Sequence, residues 1–283
     1  MNAQLDVRPS PIAGQWYPGD PKRLAASVDR YIQDAKLPQL NGEVIAIVTP
    51  HAGHIYSGPV AGYAFAALRG LKPELVAVIS PMHDYYNEPF LTTAHQAYET
   101  PLGTIPVDSE AVRTLNDLLV KELGYGLARI RRDHEHSLEI ELPFLQRVLG
   151  TDFKLLPVMV RDQGRRGTHI LGQCLAKTLM ERNALLVAST DLSHFYPQDM
   201  ANALDDVMLS CIESFDPEGV IRAEEEGKGF ACGRGALAAV LWAAKDLGAD
   251  TVKVLHHATS GDVTGDYSEV VGYAAAVITR QKG

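Results

Sequence analysis

The chain is poor in cysteine: Cys174, Cys211 and Cys232 are its whole complement of three in 283 residues. So odd and sparse a set builds no disulfide framework and suits a reducing, cytoplasmic setting. Basic charge is also scarce, with 26 Lys and Arg against 35 Asp and Glu, a formal net charge of −9. Affinity for a nucleic-acid backbone needs clustered cations, and the short run Arg129, Arg131, Arg132 reads as a solvated loop, so nucleic acid is not expected as a partner. There is no apolar run of eighteen residues, hence no expected membrane span, and the first residues lack the apolar stretch of a secretory signal. A Walker loop, a Gly-x-Ser-x-Gly elbow and a His-Glu-x-x-His helix are all missing, which removes the usual markers of phosphoryl transfer, serine hydrolysis and standard zinc proteolysis.

What is present is apolar and periodic. Hydrophobic residues make up 46% and charged residues 22%, enough for a substantial core. Short apolar runs alternate with helical patterns: strands are expected at 44–49, 75–80, 153–160, 184–189, 251–256 and 269–278, and helices after Asp20 and Asp108 and over 59–69, 138–148, 167–182, 199–214, 217–225 and 234–247. Residues 90–107 read as a β excursion and 257–266 as a polar loop. No linker or internal repeat divides the chain. The expectation is a single α/β domain, 1–283, with a mostly parallel central sheet and helices on both faces, preceded by an extended arm, 1–19, whose Trp16 and Tyr17 pack on the body.

Three of the apolar runs end in a histidine. Val44–Thr49 is followed by Pro50-His51, Leu75–Ser80 by Pro81-Met-His83, and Leu185–Ser189 by Thr-Asp191-Leu-Ser-His194. One histidine after a strand is commonly a polar cap on the sheet edge; three at equivalent positions suggest one crevice, because open α/β sheets gather chemistry at the carboxyl ends of their strands. Neutral imidazole is a common metal ligand, so His51 and His83 form the first candidate pair. Asp191 and His194 suit an acid–base pair or a ligand with its orienting carboxylate, the alternative being that Asp191 merely caps residues 192–195. Cys232 precedes a Gly-Arg-Gly helix start, whose positive end favours thiolate, whereas Cys174 and Cys211 read as small core hydrophobes. In Asp133-His-Glu-His-Ser, Glu135 and His136 are expected to line the pocket. His134 and His136 alternate and are not both expected as ligands, and the blander reading of this stretch is a solvated helix start with Glu139 and Glu141 outside.

Pro50-His-Ala-Gly-His-Ile-Tyr-Ser-Gly58, Pro81-Met-His83, Glu135-His-Ser-Leu-Glu-Ile-Glu-Leu-Pro-Phe-Leu145, Ser189-Thr-Asp-Leu-Ser-His194 and Ala231-Cys-Gly-Arg234 occur in this order. Together they resemble the Memo family, the mediator of cell motility proteins and their bacterial and archaeal relatives, including protein B of the AmmeMemoRadiSam system. The resemblance implies the fold of the class III extradiol dioxygenases (LigB-like), and a metal held by His51, His83 and Cys232 with Asp191 and His194 beside it, His194 matching the acid–base histidine. Where the family commonly has Tyr this chain has His54, an additional candidate ligand or proton donor. A thiolate where the dioxygenases use a carboxylate favours copper, iron–thiolate or zinc. The expected function is a redox-active iron or copper protein acting on a small molecule or peptide, with His194 and Asp191 catalytic and His54, Glu135 and His136 facing substrate. The alternatives are a binding module, as the phosphotyrosine-peptide binding of animal relatives implies, and a zinc hydrolase with Glu135 or His194 as base. The resemblance also implies a radical S-adenosylmethionine protein and an AMMECR-type protein as pathway partners.

Overall fold

The computed structural model describes residues 5–281. In chain order these form β1 (Val7–Arg8), α1 (Pro21–Asp34), β2 (Glu43–Thr49), α2 (His54–Ala66), β3 (Leu75–Pro81), β4 (Phe90–Thr93), β5 (Ala97–Thr100), β6 (Gly103–Pro106), α3 (Ser109–Leu123) and β7 (Ala128–Ile130). After a single 3-10 turn at Glu139–Glu141 come α4 (Leu142–Leu149), β8 (Lys154–Val160), α5 (Arg165–Leu179), β9 (Ala184–Ser189), β10 (His194–Tyr196) and α6 (Gln198–Glu213). The chain closes with α7 (Pro217–Glu225), α8 (Arg234–Asp246), β11 (Thr251–Thr259), the short α9 (Gly261–Thr264) and β12 (Val270–Arg280).

Four parallel strands, β2, β9, β3 and β8, lie side by side in that order at the centre of the sheet. Their flanks are antiparallel: β12 pairs with β2 and β4 with β8, while β10 and β11 both add to β12. The sheet is therefore mixed around a parallel core. Every residue of β3 is buried, and its side chains alternate between two apolar layers. Leu75, Ala77 and Ile79 join the layer under α3, α5 and α8, whereas Val76 and Val78 join the one under α1, α2 and α4. A strand covered on both faces has no polar side, which is why its sequence shows no alternation.

Several boundaries follow from contacts that periodicity does not see. Helix α2 begins at His54, five residues before the expected start, and carries Pro59 inside. Gly58 and Gly62 of this helix press on Tyr31 of α1, where a Cβ would come within 2.6 Å of the ring and 2.3 Å of the carbonyl oxygen. That close helix–helix packing offsets the lost backbone bond at the proline. The helix expected over 138–148 splits, with Pro143 in the first turn of α4, where no N–H is needed. Residues 257–259 extend β11 because β12 is long enough to pair with them. Segment 192–195 is not helical, so Asp191 caps nothing there. His194–Tyr196 instead forms an edge strand, with Phe195 at φ +61°.

Residues 5–19 are tied to the body of the fold. Tyr17 is buried, β1 pairs with β5, and Arg8 runs into the interior to meet Asp133 at 2.5 Å and Glu139 at 2.6 Å.

Candidate metal centre

Because β2, β9 and β3 are neighbours and run parallel, their carboxyl ends open at one edge of the sheet. There His51 follows β2, His83 follows β3, and Asp191 and His194 follow β9. A fourth histidine, His136, enters from the irregular segment before α4. His51, His83 and His136 each present a ligand atom within 4.8 Å of the others. The rings of His83 and His136 stack at 4.8 Å, and His51 stands nearly perpendicular to both, at 5.3 and 5.5 Å.

Two of these rings are hydrogen-bonded through Nδ1, and the third, His136, makes only a longer Nδ1 contact. His83 Nδ1 lies 3.0 Å from Glu135 Oε1 and His136 Nδ1 lies 3.4 Å from the same oxygen. Glu135 also accepts the backbone N–H groups of His83, His136 and Ser137. His51 Nδ1 lies 2.9 Å from Ser189 Oγ, which in turn sits 2.7 Å from both the Ser137 carbonyl and Glu141 Oε1. Ser189 has one hydroxyl proton, so all three contacts are satisfied if His51 Nδ1–H donates to Ser189, Ser189 donates to Ser137, and a protonated Glu141 donates to Ser189. Burial pushes Glu141 well above the usual carboxylate range, which supplies that proton. With Nδ1 engaged on His51 and His83, Nε2 is the ligand atom these two rings can offer, that of His51 lying 3.1 Å from Cys232 Sγ.

Electrostatics keep the cluster ready for a cation. Burial holds His51 well below its ordinary range, with His136 and His83 adding to the effect, and burial lowers His136 to about 4. Both are neutral at pH 7, with lone pairs available. Burial opposes charge on His83 as well, but the Glu135 carboxylate outweighs it and raises the imidazole. Burial likewise opposes charge on Glu135, and His83 holds it far below its ordinary value, so this carboxylate stays ionised.

The remaining candidates divide. Cys232 Sγ lies 3.1 Å from His51 Nε2 and accepts the backbone N–H of Asp191 at 3.3 Å. Its loop fits against the end of β9 only because residue 233 is glycine: a Cβ there would stand 2.6 Å from the Ser189 carbonyl oxygen. The helix-start argument for a thiolate fails in the metal-free protein, since burial and then Asp191 push this thiol up; a nearby cation would reverse that sign. Asp191 does not hydrogen-bond His194. It accepts the backbone N–H of His51 at 2.7 Å, and burial raises it to about 7. His194 is half-buried, with Nδ1 lacking a hydrogen-bond partner among the described residues. His54 stands outside the three-imidazole group, its Nε2 on the Ile140 carbonyl at 3.0 Å and its ring between Tyr17 and Phe144. Glu139 and Glu141, outside only in the blander reading of their stretch, are buried. Arg8, Ser10 and Tyr17 surround the first, and Ser189 and Thr49 the second. No regular spacing links His136 to the other two rings; its signal is only the density of His and Glu in 133–141.

The model of the Memo-like protein family matches residues 8–277. A MEMO1 family protein of Nitrosopumilus maritimus is 36% identical over 274 residues, covering 95% of this chain and 98% of its own. One from Thermotoga neapolitana is 35% identical over 291 residues, covering 96% and 100%. An uncharacterized protein from Escherichia coli K12 shares the fold, with a TM-score of 0.56 at 13% identity over 83% of this chain and all of its own.

Proposed function

This chain belongs to the Memo-like family, and from that premise we propose that it is a metal-binding protein whose ion is held by His51, His83 and His136. The observation that carries this reading is the convergence of three imidazoles whose ligand atoms lie within 4.8 Å of one another, two of them hydrogen-bonded at Nδ1 to an oxygen. Imidazole ligands suit zinc, copper, iron or nickel and disfavour magnesium and calcium. Cys232, 3.1 Å from His51 Nε2, is in reach as a fourth and softer donor, which favours a redox-active iron or copper site over a hard one.

A bound ion of this kind supplies Lewis acidity, and one-electron chemistry if it is iron or copper. The chain's own contribution is positional. Glu135 orients His83 and His136, the Ser189–Glu141 pair orients His51, and Asp191 fixes the backbone at His51. His194, which follows β9 at the same sheet edge, is the group to take or give a proton to a bound small molecule. In this reading the protein is an oxidoreductase whose pocket is of the class III extradiol dioxygenase kind.

Elemental analysis of anaerobically purified protein tests it. Stoichiometric iron or copper, lost in both His51→Ala and Cys232→Ser, is the expected result. Stoichiometric zinc would replace the redox reading with a hydrolase in which His194 is the base. Protein that takes up none of these metals would leave a binding module.

A further inference from the structure

Next to the histidine cluster lies a cavity of about 810 Å³, within the range that small-molecule sites occupy. None of the three histidines is in its wall, but their neighbours are. Ala52 and Gly53 follow His51, Phe195 follows His194, and Trp16 stacks on His136 with ring centroids 4.0 Å apart. Aromatic side chains are prominent in the lining: Trp16, Tyr17, Tyr56, Phe195 and Tyr273. Phe195 is 69% exposed and sits at φ +61°, a conformation that a bulky residue adopts only under constraint. An exposed aromatic held at the mouth of a cavity gains its packing from whatever enters.

The charge of the lining has one sign. Asp266 and Glu269 contribute carboxylates, and no Lys or Arg lines the cavity. Glu269 makes no side-chain hydrogen bond or ion pair among the described residues, and Asp266 bonds only to Ser268. We propose that this cavity takes a small organic cation, an apolar or aromatic body carrying an ammonium or guanidinium group. The body seats on Trp16, Tyr56 and Phe195, and the charge points to Asp266 and Glu269. Aromatic faces attract cations as well as apolar carbon, so both parts of the wall favour the same ligand. Phosphorylated or other anionic ligands meet only repulsion there. As a statement about substrate this rests on the histidine cluster being a metal centre; as a statement about binding it does not.

Three probes with one skeleton test the charge rule: 4-phenylbutylamine, 4-phenylbutanol and 4-phenylbutyrate, titrated calorimetrically into the full chain at low salt. Trp16 fluorescence in a Trp242→Phe background locates the binding event, since these are the two tryptophans in the sequence. The amine should bind most tightly and the acid least, by about tenfold between them, since half-exposed carboxylates contribute on the order of threefold each. Glu269→Gln should cut the preference to about threefold, and Glu269→Gln with Asp266→Asn should remove it. Equal affinities, tighter binding of the acid, or no Trp16 response to any probe would overturn the proposal. Repeating the titration on chelator-treated protein separates the two readings. Amine binding in a protein that takes up no metal would sink the metal centre and keep the cavity, and the opposite pattern would do the reverse.

Discussion

Glu135 holds His83 twice: its Oε2 accepts the His83 backbone N–H at 2.6 Å and its Oε1 faces His83 Nδ1 at 3.0 Å. The same carboxylate accepts the His136 backbone N–H and lies 3.4 Å from its Nδ1, so one buried negative charge contacts two of the three imidazoles. Glu135→Gln keeps the shape but turns an amide N–H toward groups that themselves donate. Metal affinity should fall about 10- to 100-fold, as for other partners that orient metal-binding histidines. A competition titration against a chromophoric chelator measures this, with circular dichroism to show that the fold persists.

The tight fit of Gly233 against β9 makes a second expectation. Gly233→Ala brings a methyl within 2.6 Å of the Ser189 carbonyl oxygen, a backbone atom that cannot swing aside. The loop must move, carrying Cys232 away from His51. Overpacking of this kind costs about 1–3 kcal/mol, readable as a lower urea midpoint. Cys232 should also react faster with a thiol reagent than in the parent protein.

Asp108 caps α3 through the N–H groups of Glu110 and Ala111 and meets Arg182 at 2.7 Å. Burial opposes its charge, but the Ala111 N–H and the Arg182 guanidinium outweigh it and hold the carboxyl below its ordinary value. A depressed folded value gives stability that is complete above the unfolded pKa, roughly 4, and is lost as pH falls through the folded value. Asp108→Asn keeps an acceptor for the cap and removes the charge. It should lose about 0.5–1 kcal/mol at neutral pH, and the gap to the parent should close at the acid end of a urea-midpoint series.

The sheet edge was legible from sequence because each of its strands is a short apolar run with a histidine just beyond, and parallel neighbours place such residues together. His51 and His83 were found that way. His136 was set facing substrate because the alternation of His134 and His136 suggested opposite faces of a regular element. The segment is irregular, and it is Glu135, not periodicity, that turns His136 toward His83. The blander reading of 133–141, with Glu139 and Glu141 solvated, is overturned by their partners Arg8 and Ser189, 131 and 48 residues away. The dipole at the start of α8 suggested a thiolate at Cys232, yet the depth of burial, which no local pattern reports, outweighs it.

The most direct test of the three-imidazole centre compares His136→Ala with His134→Ala. The two residues flank Glu135, two positions apart, but His136 is in the cluster and His134 is exposed. Iron(II), copper and zinc affinities are measured anaerobically for both variants and the parent. If the cluster holds the metal, His136→Ala should weaken binding at least about tenfold, as loss of a ligand must exceed loss of its supporting contact, while His134→Ala matches the parent. Equal affinities for all three proteins would contradict the assignment of His136 and leave the metal, if bound, to His51, His83 and Cys232.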